Sequence, residues 1–160
     1  MATLAPAQLQ TLKSAIAAET DPAFVALRQA FNEQGMADWY NAASTFVCWK
    51  SNVTIRDTGQ AFNGAEWAAM TGANHTRLQT VAQYLASYDP SKADIRAMFN
   101  DIWGGASGTI TRPALLALWK RFALRGERVF ATGNGADATP GLFTVQGVIT
   151  AQNISDALGA

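Results

Sequence analysis

Three proline-led restarts punctuate this chain: Pro6, Asp21-Pro22 and Asp89-Pro90-Ser91. Proline has no backbone N–H and a fixed φ, so it suits the first turn of a helix and breaks one further in. Gly104-Gly105 is a stop of the opposite kind, because glycine readily adopts the conformations that end helices. The chain therefore reads as a series of separate helices. Leu9, Leu12 and Ile16 share one face over 6–19. Asp21 caps a second helix, whose stripe of Phe24, Leu27 and Phe31 runs to a stop at Gly35. Ala37 to Ala43 carries Trp39 and Tyr40 on a further short helix, while residues 45–55 fit a short strand or an irregular helix equally well.

Gly59 and Asn63-Gly64 interrupt the next region. Glu66, Trp67 and Met70 form one short helix, and Thr71 caps another running to about Ser87 with Leu78, Val81 and Leu85 inward. After Pro90 comes a helix with Ile95, Met98, Phe99 and Ile102, then a small flexible connector over 104–111. Thr109 or Thr111 caps the longest expected helix, about 112–131, with Leu115, Leu118, Trp119 and Phe122 on its buried face. Beyond Thr132 the helical period is lost. Gly133-Asn134-Gly135 and Thr139-Pro140-Gly141 bracket a loop, Leu142 to Val145 and Val148 to Thr150 are strand formers, and Thr150 caps a last turn through Ile154 and Leu158. The expected fold is mainly α: a helical bundle of five or six helices over 1–132, then a glycine-rich β-like extended arm and tail over 133–160.

At 160 residues and 17.0 kDa the chain has the size of a single domain able to bury an ordinary apolar core. Hydrophobic residues make up 49% and charged residues 15%, which argues against disorder. Twelve Lys+Arg balance twelve Asp+Glu, so global charge offers no route to nucleic acid or to a charged membrane. So few ionic side chains also suggest a surface that a partner covers. One cysteine excludes an internal disulfide framework. Gln8, Gln10, Lys13 and Ser14 interrupt any leader-like apolar run, and no stretch approaches a membrane span, so a soluble protein of a reducing cytoplasm is expected.

His75 is the sole histidine and Cys48 the sole cysteine. An imidazole serves as a general base when a partner orients it or a nucleophile is in reach. Asn74, Thr76 and Arg77 make His75 read as part of an exposed helix start, and Phe46, Val47 and Trp49 make Cys48 read as a buried, inert thiol. One His and one Cys cannot supply a structural zinc set. Asp94 and Asp101 lie about 10 Å apart along one helix axis, close to the separation an inverting glycosidase needs, which two exposed carboxylates on one helix reach by default. Gly133-Asn134-Gly135 lacks the Gly-Lys-Ser/Thr of a phosphate loop. No catalytic, metal or cofactor-binding residue is assigned. A small hydrolase using His75 with Cys48 or a carboxylate is a remote alternative.

The expected long helix is more telling. Arg112, Lys120, Arg121, Arg125 and Arg128 stand against Glu127 alone, a local net of +4. Arg121, Arg125 and Arg128, spaced by four and three, would share one side, which reads as a solvated face near a helix C-terminus, where cations are favoured, or as a face that docks an acidic partner or lies beside nucleic acid. The neutral charge of the whole favours a protein partner. Five tryptophans supply core, with one or two available for a subunit contact.

Leu115 to Arg121, Glu127 to Gly133, and Thr139-Pro140 on to Gly147 resemble a family of small tailed-bacteriophage virion proteins. Leu4 to Lys13 and Trp49-Lys50 are similar as well, so the likeness spans most of the chain. The resemblance implies a non-enzymatic structural protein, and the head–tail adaptor class suits the expected architecture best, with a capsid decoration or tail-completion protein as the alternative. An adaptor implies a homo-oligomeric ring, a dodecamer, between the portal protein and the tail or nozzle proteins, with passing contact to packaged DNA and none to membrane. Its place would be the virion neck, assembled in the host bacterial cytoplasm. On that reading the docking residues are Arg121, Arg125, Arg128, Leu142, Phe143, Val145, Val148 and Ile149, with the arm offering a strand edge to a neighbouring chain.

Overall fold

The computed structural model describes residues 4–160, apart from the side chains of 106 and 107. In chain order the elements are α1 (Pro6–Ala18), α2 (Pro22–Gln29), α3 (Glu33–Asn41), β1 (Ala43–Trp49), β2 (Val53–Thr54), α4 (Ile55–Gln60), α5 (Gly64–Ala69), α6 (Gly72–Tyr84) and β3 (Ser87–Tyr88). There follow α7 (Ala93–Ile102), a 3-10 turn (Gly105–Gly108), α8 (Thr111–Leu118), β4 (Lys120–Leu124), α9 (Arg125–Val129), β5 (Ala131–Thr132), β6 (Leu142–Phe143) and α10 (Ala151–Gly159). The protein is mainly α. The described residues hold ten short helices where five or six longer ones were expected, and the strands pair only as β1–β4, β2–β3 and β5–β6.

Two compact units result, one made of the chain up to Cys48 with Phe122–Ala160, the other of Trp49–Arg121. Each has its own core. The boundary expected at residue 132 falls inside the first unit, because 133–160 packs with the N-terminal third of the chain.

In the first unit the helix starts are locally encoded. The Asp21 carboxylate accepts the Ala23 N–H at 2.9 Å ahead of Pro22. Thr150 and Asn153 form a reciprocal cap on α10, the Thr150 hydroxyl accepting from Asn153 N–H at 3.1 Å and the Asn153 amide oxygen from Thr150 N–H at 3.0 Å. Gly35 does not end α2, which stops at Gln29. The chain turns at Phe31, whose φ of 52° is left-handed, and Asn32 caps α3 by accepting the Gly35 N–H at 2.8 Å. A Cβ at position 35 would sit 2.6 Å from Leu27 Cδ2, so glycine there permits α2 and α3 to approach. The core joins Leu12, Ile16, Phe24, Met36 and Tyr40 to Phe130, Val145, Ile149 and Ile154.

The helix expected over 112–131 is broken into α8, β4 and α9. Long-range partners take the backbone groups that a continuous helix would use: the Ser44 hydroxyl donates to the Ala123 carbonyl at 2.9 Å, and Arg125 N–H donates to the Ala42 carbonyl at 2.9 Å. Helix-forming residues between 120 and 125 yield to these bonds, because tertiary context overrides propensity. The expected arm is likewise folded in. Val145 and Ile149 are 8% and 2% exposed in the core. Gly141 N–H donates to the Val47 carbonyl at 2.9 Å and Thr144 N–H to the Phe130 carbonyl at 3.2 Å, so these groups are already satisfied. The Asn41 side chain fastens the segment: its Nδ2 donates to the Ile149 carbonyl at 2.7 Å and its Oδ1 accepts the Ile149 N–H at 2.8 Å.

In the second unit Tyr88, Phe99, Ile102, Trp103, Leu115 and Trp119 lead the core. A buried relay crosses it. Trp119 Nε1 donates to the Tyr88 hydroxyl at 2.8 Å, that hydroxyl lies 2.6 Å from Thr58 Oγ1, and Thr58 donates to the Thr54 carbonyl at 2.8 Å. With both flanking directions fixed, Tyr88 is the donor to Thr58, and each bond polarises the next. Buried Glu66 serves the start of α8. Its Oε1 accepts from the Thr109 hydroxyl at 2.9 Å and the Ile110 N–H at 2.8 Å, and its Oε2 from the Thr111 N–H at 2.8 Å. These donors would otherwise be orphaned at a helix N-terminus, where negative charge is favoured. Burial alone would raise the carboxyl, but the backbone N–H groups of Thr111 and Ile110, helped by the Thr111 and Thr109 hydroxyls, hold it at about 2.

Two outcomes follow from these anchors. Asn41→Ala strips both polar groups of Ile149 of their partner and should cost about 1–3 kcal/mol, read as a lower urea midpoint at an unchanged slope. Because the Glu66 pKa is depressed in the folded state, its contribution is complete above its ordinary 4.5 and is lost as pH falls toward about 2. Urea midpoints measured through that window should therefore fall more steeply for the parent protein than for Glu66→Gln, and equal slopes would exclude the role given to Glu66.

Candidate functional site

The first unit carries a cleft of ≈610 Å³ whose walls include Glu19, Trp39, Tyr40, Arg125, Arg128 and Val129. Its basic side is built by α9, a single turn. Glu127 at the third position folds back, Oε2 accepting the Leu124 N–H at 2.9 Å and Oε1 the Gly147 N–H at 3.1 Å. Gly126 and Glu127 are thereby turned inward and buried. A Cβ at position 126 would lie 2.6 Å from Ile149 Cγ1, so the helix rests directly on the core there. Arg125 and Arg128, three apart, fall on a common side of the turn.

Arg125 lies over the Trp39 indole, with its guanidinium carbon 4.1 Å from the ring centroid. Trp39 is itself wedged between Phe24, at 4.7 Å between centroids, and Tyr40, at 5.3 Å and nearly perpendicular. A guanidinium over an indole face gains cation–π energy and keeps its N–H edge available. Arg128 is exposed, and neither arginine is paired with a carboxylate among the described residues. Glu19 supplies the opposite charge, its Oε1 accepting the N–H groups of Thr20 at 2.9 Å and Asp21 at 3.0 Å. The Tyr40 hydroxyl is buried without a hydrogen-bond partner. Burial first, then the Glu19 charge, push its ionisation up, so it stays a neutral donor.

Of the expected docking residues, Arg125 and Arg128 come together here. The helix that would have aligned Arg121 with them is interrupted, and Arg121 belongs to β4 and to the second unit. Leu142 and Val148 are outward, at 43% and 49% exposure, and Phe143 is half-buried. Val145 and Ile149 are core residues and are withdrawn from any docking surface. Glu19, Trp39 and Tyr40 had no place in the sequence-based site, since nothing local links α1 or α3 to a turn more than eighty residues on.

The remaining candidates fall elsewhere. Cys48 is fully buried in the first unit. His75 belongs to the second and meets the Trp67 ring edge-on at 4.8 Å. Asp94 and Asp101 line a second cleft of ≈570 Å³, together with Arg77. Among the described residues no three His, Cys, Asp or Glu side chains gather as a metal set, and no helix is long and apolar enough to cross a membrane.

Tyr40→Phe removes a hydroxyl that has no partner in the fold. It should leave stability unchanged or raise it by about 1 kcal/mol, measured by chemical denaturation, whereas a clear loss would reveal a bond to that oxygen. No protein-family model, curated protein or solved structure matches this chain.

Proposed function

We propose that this chain is a non-enzymatic structural protein of a tailed-phage virion, a head–tail adaptor that assembles as a ring in the neck between portal and tail. The phage assignment draws on the likeness of 115–121, 127–133 and 139–147 to small virion proteins. The observation that carries the docking role is the pair Arg125 and Arg128, held on one turn with no carboxylate partner among the described residues, Arg125 lying over Trp39. Like charge at three-residue spacing is destabilising in isolation, and an acidic partner relieves it.

In this reading the two compact units serve as the body, and the glycine-punctuated stretch from 133, packed into the first unit, presents the docking face. It docks through outward side chains, Leu142 and Val148, since the backbone N–H groups of Gly141 and Thr144 already have partners. Head-to-tail contacts of this kind, repeated about an axis by a rotation that divides the full turn, close into a ring. Arg121 adds a further cation for acidic portal surface or passing DNA.

Mixing the purified chain with portal and measuring the mass of the product tests the assignment. A ring-sized increment, reduced by Arg128→Glu and by Leu142→Asp, is expected, with the protein located at the neck of mature particles by cryo-electron microscopy. A monomer indifferent to portal and missing from particles would refute it, and density in the shell or tail would transfer the role to decoration or tail completion.

A further inference from the structure

The cleft over Trp39 specifies the chemistry of its occupant. Arg125 and Arg128 present two guanidinium groups without a carboxylate partner among the described residues, and a planar carboxylate can take bidentate hydrogen bonds from such a fork. Trp39 lies under Arg125 at 4.1 Å and orders it before any ligand arrives, which lowers the entropy lost on binding. Tyr40 lines the same cleft.

Size and charge narrow the choice. At ≈610 Å³ the cleft far exceeds the needs of a lone anion, given that one water occupies about 30 Å³ of liquid. Its volume lies within the roughly 300–1,000 Å³ of sites that take larger organic ligands. Glu19, fixed by the Thr20 and Asp21 N–H groups, puts a negative charge on the same wall. A continuous phosphate backbone is repelled by that carboxylate, whereas a peptide offers it a backbone N–H. Trp39 and Val129 provide apolar surface for the stem of an acidic side chain.

We infer that this cleft is a binding site for an acidic peptide segment of a protein partner, with one side-chain carboxylate held between Arg125 and Arg128. The identity of the partner rests on the adaptor reading; the chemistry of the site rests on the cleft alone.

The test is fluorescence anisotropy of the full chain with a labelled hexaglutamate peptide, in competition with inorganic phosphate and with a single-stranded oligonucleotide. Saturable peptide binding is expected, weakened by about tenfold or more in Arg128→Ala and in Arg125→Lys, which keeps the charge and loses the fork. Arg112→Ala, an exposed arginine of the second unit, should leave it unchanged. Circular dichroism establishes that each variant is folded, and Arg128→Ala, at an exposed position, keeps the test decisive if Arg125→Lys unfolds. Absence of peptide binding, an equal loss in Arg112→Ala, or stronger binding of oligonucleotide or phosphate than of peptide would each overturn the inference. A chain that binds peptide through these arginines but ignores portal keeps the site and sinks the adaptor; one that joins portal but ignores peptide does the reverse.

Discussion

Asn41 and Ile149 stand 108 residues apart and are joined by two hydrogen bonds in which one side-chain amide matches both polar groups of a backbone residue. The match works as a strand would, without a strand. It sets Ile149 into the core, and Ile149 in turn fixes how closely α9 can approach, because only glycine fits at position 126. From that contact follow the inward turn of Glu127, its hold on Gly147, and the common side taken by Arg125 and Arg128. The basic wall of the cleft is thus a consequence of an apolar contact on the far side of the same turn.

The helices make such ties necessary. None of those described exceeds thirteen residues, and helices of that length are marginal in water without tertiary support. Side chains remote in sequence therefore serve backbone ends throughout: Glu66 at the start of α8, Asn74 donating to the Ile102 carbonyl at 2.8 Å, and Arg28 donating to the Ile16 and Ala17 carbonyls at 2.6 and 2.9 Å. Charged residues, at 15%, are scarce, and Glu66 and Arg28 are among those spent on architecture.

Three of the helix starts are legible in the sequence because their signal is local. Asp21, Thr71 and Thr150 cap the helices they were expected to cap, since the cap and its N–H are two or three residues apart. Where the deciding partner is distant, the local pattern misleads. Lys120 to Leu124 has helical composition and becomes a strand because Ala42 and Ser44 take its neighbouring backbone groups. Val145 and Ile149 look like an exposed β arm, as strand formers among glycines do, until Asn41 and the α10 core claim them. Half of the cleft was legible as arginine spacing. The other half, Glu19 with Trp39 and Tyr40, was hidden by chain separation.

The second unit lies within the first in sequence, entered after Cys48 and left at Arg121. Synthesis on the ribosome proceeds in one direction, so Trp49–Arg121 is complete and able to condense while the earlier segment still waits for Phe122–Ala160 to emerge. Until then Phe24, Met36 and Tyr40 have no Ile149 or Ile154 to cover them. During translation the apolar residues of the first unit thus stay uncovered longest, and that interval is when chaperone engagement has most to protect.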